Sequence, residues 1–278
     1  MWQKPPLGAQ IEYKVPGLVG CWLMNERSSG KVFDLSGHGN DGTHAGVIWQ
    51  PGQYGPSCYY DGSNDKTTIA DADILSFGDG VADCPFSIVL SVKKRTEAYA
   101  VVLSKSENTA DVEYLIRINA DEQIGFFLYD DSSAVHLDIT SADGAVTVDE
   151  WTHLAFTYDG SGSQNGAYIY KNGADVTSTR GTTGTYTAMH NEASPVYFGV
   201  YIPSSASVLW GNINLEYVSF FKCVLTPSEI TRLYREPFWM FEQEPIELWA
   251  AASGAAPAGI SMPLVMQQMN HFSGGMVA

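Results

Sequence analysis

The sequence predicts an all-β fold, an antiparallel two-sheet jelly-roll sandwich with one short C-terminal helix. Short apolar and aromatic runs recur at regular intervals between turn residues, as they do in sandwiches and jelly rolls. The stretch Trp151 to Tyr158 alternates at the two-residue period of a strand, with Thr152, Leu154, Phe156 and Tyr158 on one face and Trp151, His153, Ala155 and Thr157 on the other. Both faces are largely apolar or aromatic, which places this strand inside a sandwich. An antiparallel strand with one wet face would carry charge at every second position.

From the N-terminus, Pro5, Pro6 and Pro16 mark residues 1–16 as an extended arm. A first strand runs from Gly17 to Met24, and Asp34 to Gly42 is a glycine-rich loop. Gly37, Gly39 and Gly42 spell G-x-G-x-x-G. A dinucleotide fingerprint must open a helix, however, and Thr43 to Trp49 has no helical stripe and a glycine inside it.

Further strands are predicted over Ser57 to Tyr60, Lys66 to Ile69, Phe86 to Lys93, Ala100 to Ser104, Tyr114 to Asn119, Gln123 to Tyr129, Val135 to Ile139, Val196 to Val200 and Leu215 to Val224. After the central strand, Asp159 to Gly166 is a long turn. The return segment Ala167 to Val176 bends at Asn172-Gly173, a strong hairpin signal, so three strands form a meander.

The helix is announced by Thr226-Pro-Ser-Glu229, which supplies a cap residue, a proline at the first helical position and a glutamate at the third. Leu225 and Ile230 are placed as its hydrophobic staple, and Pro237 ends it. The sandwich thus occupies residues 17–236, and residues 237–278 form an apolar tail.

At 278 residues the chain allows one large β domain or two small ones. Thirty-one Asp and Glu against 15 Lys and Arg give a net charge of -16, which repels phosphate backbones and anionic lipid. Neither nucleic acid nor a membrane is an expected partner. No apolar run is long enough to span a bilayer, and the N-terminal residues hold no apolar signal-peptide core. Cys21, Cys58, Cys84 and Cys223 show no CxxC pair and no zinc spacing. They read as buried small hydrophobes, with one bridge between Cys21 and Cys223, on the first and last strands, left open.

Six segments carry a family resemblance: Gly17-Leu-Val-Gly-Cys-Trp22, the Asp34-x-Ser-Gly-x-Gly-Asn40 loop, Tyr60-Asp-Gly62, Pro85-Phe-Ser-Ile88, Trp151-Thr-His-Leu-Ala155 and Leu225-Thr-Pro-Ser-Glu-Ile230. In this order they resemble the successive signatures of LamG-like jelly-roll domains, which have the concanavalin A-like lectin/glucanase fold. The resemblance covers about Gly17 to Tyr234. The opening Pro5-Pro-Leu-Gly8 and the exit from Leu233 to Phe238 are also similar to LamG-like proteins encoded by bacteriophages.

Glucanases of this fold use E-x-D-x-x-E on one strand, with alternate carboxylates facing the cleft roughly 5 Å apart as nucleophile and acid. That spacing is absent, and Glu107, Asp111 and Glu113 read as a solvated loop. No Gly-x-Ser-x-Gly elbow occurs. His153 reads as a packed core residue rather than a general base, and His38, His44, His136, His190 and His271 form no ligand pattern. A non-enzyme is expected.

The resemblance implies one structural calcium ion at Asn25, Glu26, Asn40 and Glu216, oxygen ligands of the kind that ion prefers. The family's Ile-Asp-Glu-Val segment reads Leu215-Glu-Tyr-Val218, which reduces its paired acids to one. The metal-free alternative is a turn held by the Asp34 and Ser36 side chains. The resemblance also implies a glycan ligand, held by aromatic stacking and by polar side chains at its hydroxyls. The candidates are Trp49, Tyr54, Tyr129, Tyr201 and Trp210, each alternatively a core or subunit-interface residue.

From Leu248 to Ala278 the tail contains no Asp, Glu, Lys or Arg, and it holds Met262, Met266, Met269 and Met276. A tail in water is usually solvated by charge. Pro257, Pro263 and several glycines exclude a continuous helix, which leaves an irregular strap covered by another subunit or protein, or a low-complexity end. Trp249, Met262, Met266, Met269 and Phe272 are its candidate contacts. The expectation is an oligomeric phage virion surface protein, a head decoration or head-fibre subunit assembled in the bacterial cytoplasm and anchored to a capsid or tail protein through its termini. The alternative is an extracellular carbohydrate-binding or adhesion module of a secreted bacterial protein.

Overall fold

The structure, a computed structural model, describes residues 3–5, 16–27, 30–108, 111–130, 134–204 and 206–241. The first third contributes β1 (Leu18–Trp22), β2 (Lys31–Val32), β3 (Gly42–Ala45), β4 (Ile48–Pro51), β5 (Pro56–Asp61) and β6 (Lys66–Ile69). Longer strands follow: β7 (Phe86–Lys94), β8 (Ala100–Ser106), β9 (Val112–Ile118), β10 (Ile124–Tyr129), β11 (His136–Ser141) and β12 (Trp151–Tyr158). The last part holds β13 (Ala167–Lys171), β14 (Ala174–Asp175), β15 (Thr177–Thr183), β16 (Val196–Phe198), β17 (Val200–Ser204), β18 (Ser207–Trp210) and β19 (Asn212–Phe221), then helix α1 (Pro227–Arg235).

One sheet has eight strands in the order β14-β13-β12-β7-β19-β5-β4, with β1 also paired to β19. The other has nine, in the order β15-β11-β10-β9-β8-β16-β6-β3-β2, and β17–β18 form a separate hairpin. The predicted meander is present as β12, β13 and β14, in antiparallel register. After Val176 the chain crosses to the second sheet, where β15 pairs with β11.

The two sheets bury one core. Leu154, Phe156 and Tyr158 of β12 join Ile88 and Leu90 of β7, Ile116 of β9, and Phe126 and Leu128 of β10. Trp22 meets Phe198 and Phe220 edge-on at 5.6 and 5.5 Å, and Phe77 stacks on Phe86 at 4.2 Å. Each such side chain stabilises by about 1.5–3 kcal/mol on full burial.

The other apolar face of β12 is covered by the helix rather than by a sheet. Ala155, Val89 and Tyr217 pack with Ile230 and Leu233 of α1 and with Phe238 and Met240 beyond it. The alternation of β12 was therefore legible, while the nature of its second cover was not. The predicted capping box is formed: Glu229 N donates to Thr226 Oγ1 at 3.3 Å, and Thr226 N donates to the Glu229 carboxylate at 2.7 Å. His153 is 6% exposed between the rings of Tyr217 and Tyr234, as a packed residue.

Besides the two-residue β2 and all but the first residue of β17, four strands escaped the sequence reading. β15 is Thr-Ser-Thr-Arg-Gly-Thr-Thr, a polar edge strand with no alternation to detect. β3 and β4 are short and flank Gly46, and β18 has exposed side chains over most of its length. The predicted strand Val196 to Val200 breaks at Gly199, whose φ of +81° favours glycine and where a Cβ would lie 2.5 Å from the Tyr60 ring. There the chain leaves the nine-stranded sheet for the β17–β18 hairpin.

The Asp34 loop is built around one carboxylate, which accepts the Cys21, Ser36 and Asn40 amides and the Ser36 hydroxyl at 2.9–3.0 Å. The strand β3 follows this loop, so the glycine motif opens no helix. All four cysteines are free. Cys21 faces Ser219 across the β1–β19 ladder, and Cys223 lies beyond its Leu18–Phe221 end, so the Cys21–Cys223 bridge is not formed. Glu113 also departs from the solvated loop expected of it: it lies on β9, fully buried. No helix among the described residues is long and apolar enough to cross a membrane.

Candidate functional site

The edge formed by β4 and β5 carries an open cleft of about 310 Å³, lined by Arg27, Trp49, Gln50, Pro51, Gly55 and Pro56. Pairing of β4 with β5 sets Trp49 opposite Cys58 and Gln50 opposite Ser57. The loop between the two strands closes through Gly52 N donating to Gly55 O at 2.6 Å.

The Trp49 ring meets His44, on the neighbouring sheet, edge-on at 5.5 Å. His44 Nδ1 lies 2.8 Å from Thr67 Oγ1, and burial pushes its imidazole down to about 4, so it stays neutral. Gln50 Oε1 accepts from Asn214 Nδ2 at 3.1 Å, which orients the amide and leaves its NH₂ as a donor. Arg27 is exposed and has no ion pair among the described residues. An indole packed in part against the core, a guanidinium and a carboxamide thus line one cleft, groups chemically able to meet an apolar face and hydroxyls.

The other predicted aromatics lie elsewhere. Tyr54 sits in the adjoining loop, edge-on to Phe238 at 5.6 Å. Tyr129 and Tyr201 stack on each other at 6.4 Å. Each is 5% exposed, because the β17–β18 hairpin folds over β8 and turns these rings toward each other and toward Val101, Leu115 and Phe127 rather than toward solvent. Trp210 ends β18 opposite Val200 and is partly buried. Arg27, Gln50 and the cleft's prolines were missed by the sequence reading. No local signal singles out Arg27, although its place just after the first strand is a loop position where ligands often bind.

The residues expected to hold calcium are only partly brought together. Glu26 accepts the Asn25 and Phe33 amides at 2.7 and 2.9 Å, and Glu216 accepts the Tyr54 amide at 2.6 Å. The Asn40 main chain is engaged instead, its N–H donating to Asp34 and its carbonyl accepting from the Trp22 indole. Among the described residues no group of three or more His, Cys, Asp or Glu is arranged to hold a metal. Trp249, Met262, Met266, Met269 and Phe272 lie outside the described residues.

Comparison with known proteins places this geometry. No curated protein sequence matches the chain. Among solved structures, the binding domain of Paraclostridial Mosquitocidal Protein 1 superposes with a TM-score of 0.59 and 16% identity, over 78% of this chain and 52% of that one. A botulinum neurotoxin type C chain, from a toxin whose cell entry depends on two ganglioside molecules, gives 0.58 and 15%, over 79% and 51%. Domain 4 of AbnA, an extracellular GH43 arabinanase from Geobacillus stearothermophilus, in complex with arabinotriose, gives 0.54 and 16%, over 80% and 100%. The chain spans about half the length of the two toxin chains, and at these identities the likeness is one of fold. A family model matches residues 61–231, more than half the sequence. With the two-sheet sandwich above, that match makes the chain a member of the concanavalin A-like lectin/glucanase superfamily.

Proposed function

We propose that this chain is a non-catalytic, glycan-binding surface module whose sugar contacts are made in the Trp49 cleft. The observation that carries the reading is the shared lining of Trp49, Arg27 and Gln50. In this arrangement the indole stacks on the sugar's apolar face while the amide and guanidinium take its hydroxyls. The arabinotriose-bound domain and the ganglioside-dependent toxin support a glycan as ligand class. A glycan array followed by calorimetry on the strongest hit tests this. Trp49→Ala should lose at least tenfold in affinity while its circular dichroism stays unchanged. Unchanged binding by that variant, or no glycan bound by the wild type, overturns the reading.

The biological setting we propose is the surface of a phage particle, with the module serving as an oligomeric head-decoration or head-fibre subunit. Support comes from the likeness of residues 5–8 and 233–238 to phage-encoded relatives and from the charge-free stretch from Leu248 to Ala278. Light scattering on the full chain beside a truncation after Glu247 tests the anchoring role. An oligomer that falls to monomer supports it. A monomer in both cases favours the second reading, an extracellular carbohydrate-binding module, for which the fully covered arabinanase domain is the supporting comparison.

A further inference from the structure

Where the resemblance implies a bound cation, the structure has a lysine. The segment Gln3 to Pro5 is held at three points. Lys4 N donates to Tyr54 O at 3.2 Å, Asn25 Nδ2 donates to Pro5 O at 2.6 Å, and Lys4 Nζ donates to Met24 O at 3.2 Å and also to Pro56 O. Burial pushes this ammonium down to about 8 against the opposing pull of Glu216 and, more weakly, Cys58 and Glu26. Neither carboxylate is in ion-pair contact with it, so its direct partners are the two carbonyls. Glu216 is fully buried, and a buried carboxylate without a counter-charge is strongly unfavourable.

The donor set does not fit calcium, which takes six to eight oxygens at about 2.3–2.6 Å. Only Glu26 and Glu216 of the expected set supply carboxylates here, both Glu26 oxygens and one Glu216 oxygen already accept backbone N–H groups, and among the described residues no three His, Cys, Asp or Glu converge on one metal position. The Met24 and Pro56 carbonyls suit an ammonium, which offers three donors, and its positive charge favours the ionised form of Glu216.

We propose that the Lys4 ammonium is the resident cation of this cage, a side chain of the N-terminal arm standing where a divalent ion would otherwise balance Glu26 and Glu216. The proposal is independent of the glycan reading. Gln3 to Pro5 is thereby fastened to Tyr54 and Pro56, in the same turn that borders the cleft.

The test is thermal unfolding of the full chain with Lys4→Met, Lys4→Arg, Glu216→Gln and the Lys4→Met/Glu216→Gln pair, each in EDTA and in millimolar calcium. Lys4→Met should melt several degrees below wild type, Lys4→Arg should recover most of the loss, and the pair should lose less than the sum of the single changes. The wild type should melt at the same temperature in both buffers and give no sensitised terbium luminescence, a readout that remains available if Lys4→Met does not fold. Calcium stabilisation or terbium binding in the wild type overturns the proposal. A Lys4→Met protein as stable as wild type, or strictly additive changes, overturns it equally.

Discussion

Lys105 and Glu113 form an ion pair in which neither side chain has any exposed surface, with Nζ 2.8 Å from Oε1. The ammonium also reaches Asp71 at 2.7 Å and the Glu192 and Ser194 carbonyls at 2.8 and 2.7 Å. Glu113 accepts from Ser76 Oγ and Glu192 N as well. Burial pushes the Glu113 carboxyl up to about 7, against the opposing pull of Lys105. These contacts tie β8 and β9 to the loops at one end of the sandwich. Lys105→Met should destabilise by about 3–5 kcal/mol, since it strands a buried carboxylate. Urea unfolding checks this, and Lys105→Met/Glu113→Leu should lose less than Lys105→Met alone.

Burial holds His153 at about 3 and His44 at about 4. The folded chain therefore binds fewer protons than the unfolded chain between those values and about 6.5. Their contribution to stability is complete above about pH 6.5 and is lost as the pH falls. At about pH 5 the loss is about 2 kcal/mol for a fully buried ring and less for the partly exposed His44. Neither ring nitrogen of His153 has a hydrogen-bond partner. His153→Phe should accordingly match or exceed wild type in stability at neutral pH and lose less on acidification. Urea midpoints measured at the two pH values decide this.

Gly199 is where the chain leaves the nine-stranded sheet, with a φ of +81°. Gly199→Ala should destabilise by about 2–4 kcal/mol, adding left-handed strain of about 1 kcal/mol to crowding against Tyr60. A change below about 0.5 kcal/mol by urea unfolding would mean that the hairpin tolerates rerouting at this point.

Thr226→Ala should lower stability by about 1 kcal/mol by removing the acceptor for the Glu229 amide, whereas Thr226→Ser should stay near wild type. The readout is the midpoint of urea unfolding, because α1 covers the outer face of the eight-stranded sheet.

Most of the fold was legible because its physics is local. The alternation of Trp151 to Tyr158, the Asn172-Gly173 turn and the Thr226 cap each specify their own geometry, and each is present. The site was less legible. Trp49 lines the cleft, but Tyr129 and Tyr201 were equally good candidates in the sequence and lie under a hairpin whose strand Ser207–Trp210 shows little burial pattern. The Lys4 contact spans 20 residues to Met24 and 52 to Pro56, a separation at which no sequence period operates.

The margins of the two sheets have a consequence for solution behaviour. β14 and β2, at two of the margins, are two residues long, β4 ends in Pro51, and β15 presents Thr, Ser, Arg and Gly. Short, proline-bounded and polar margins are poor templates for added strands. Addition of a further strand by backbone pairing at these four margins is therefore disfavoured.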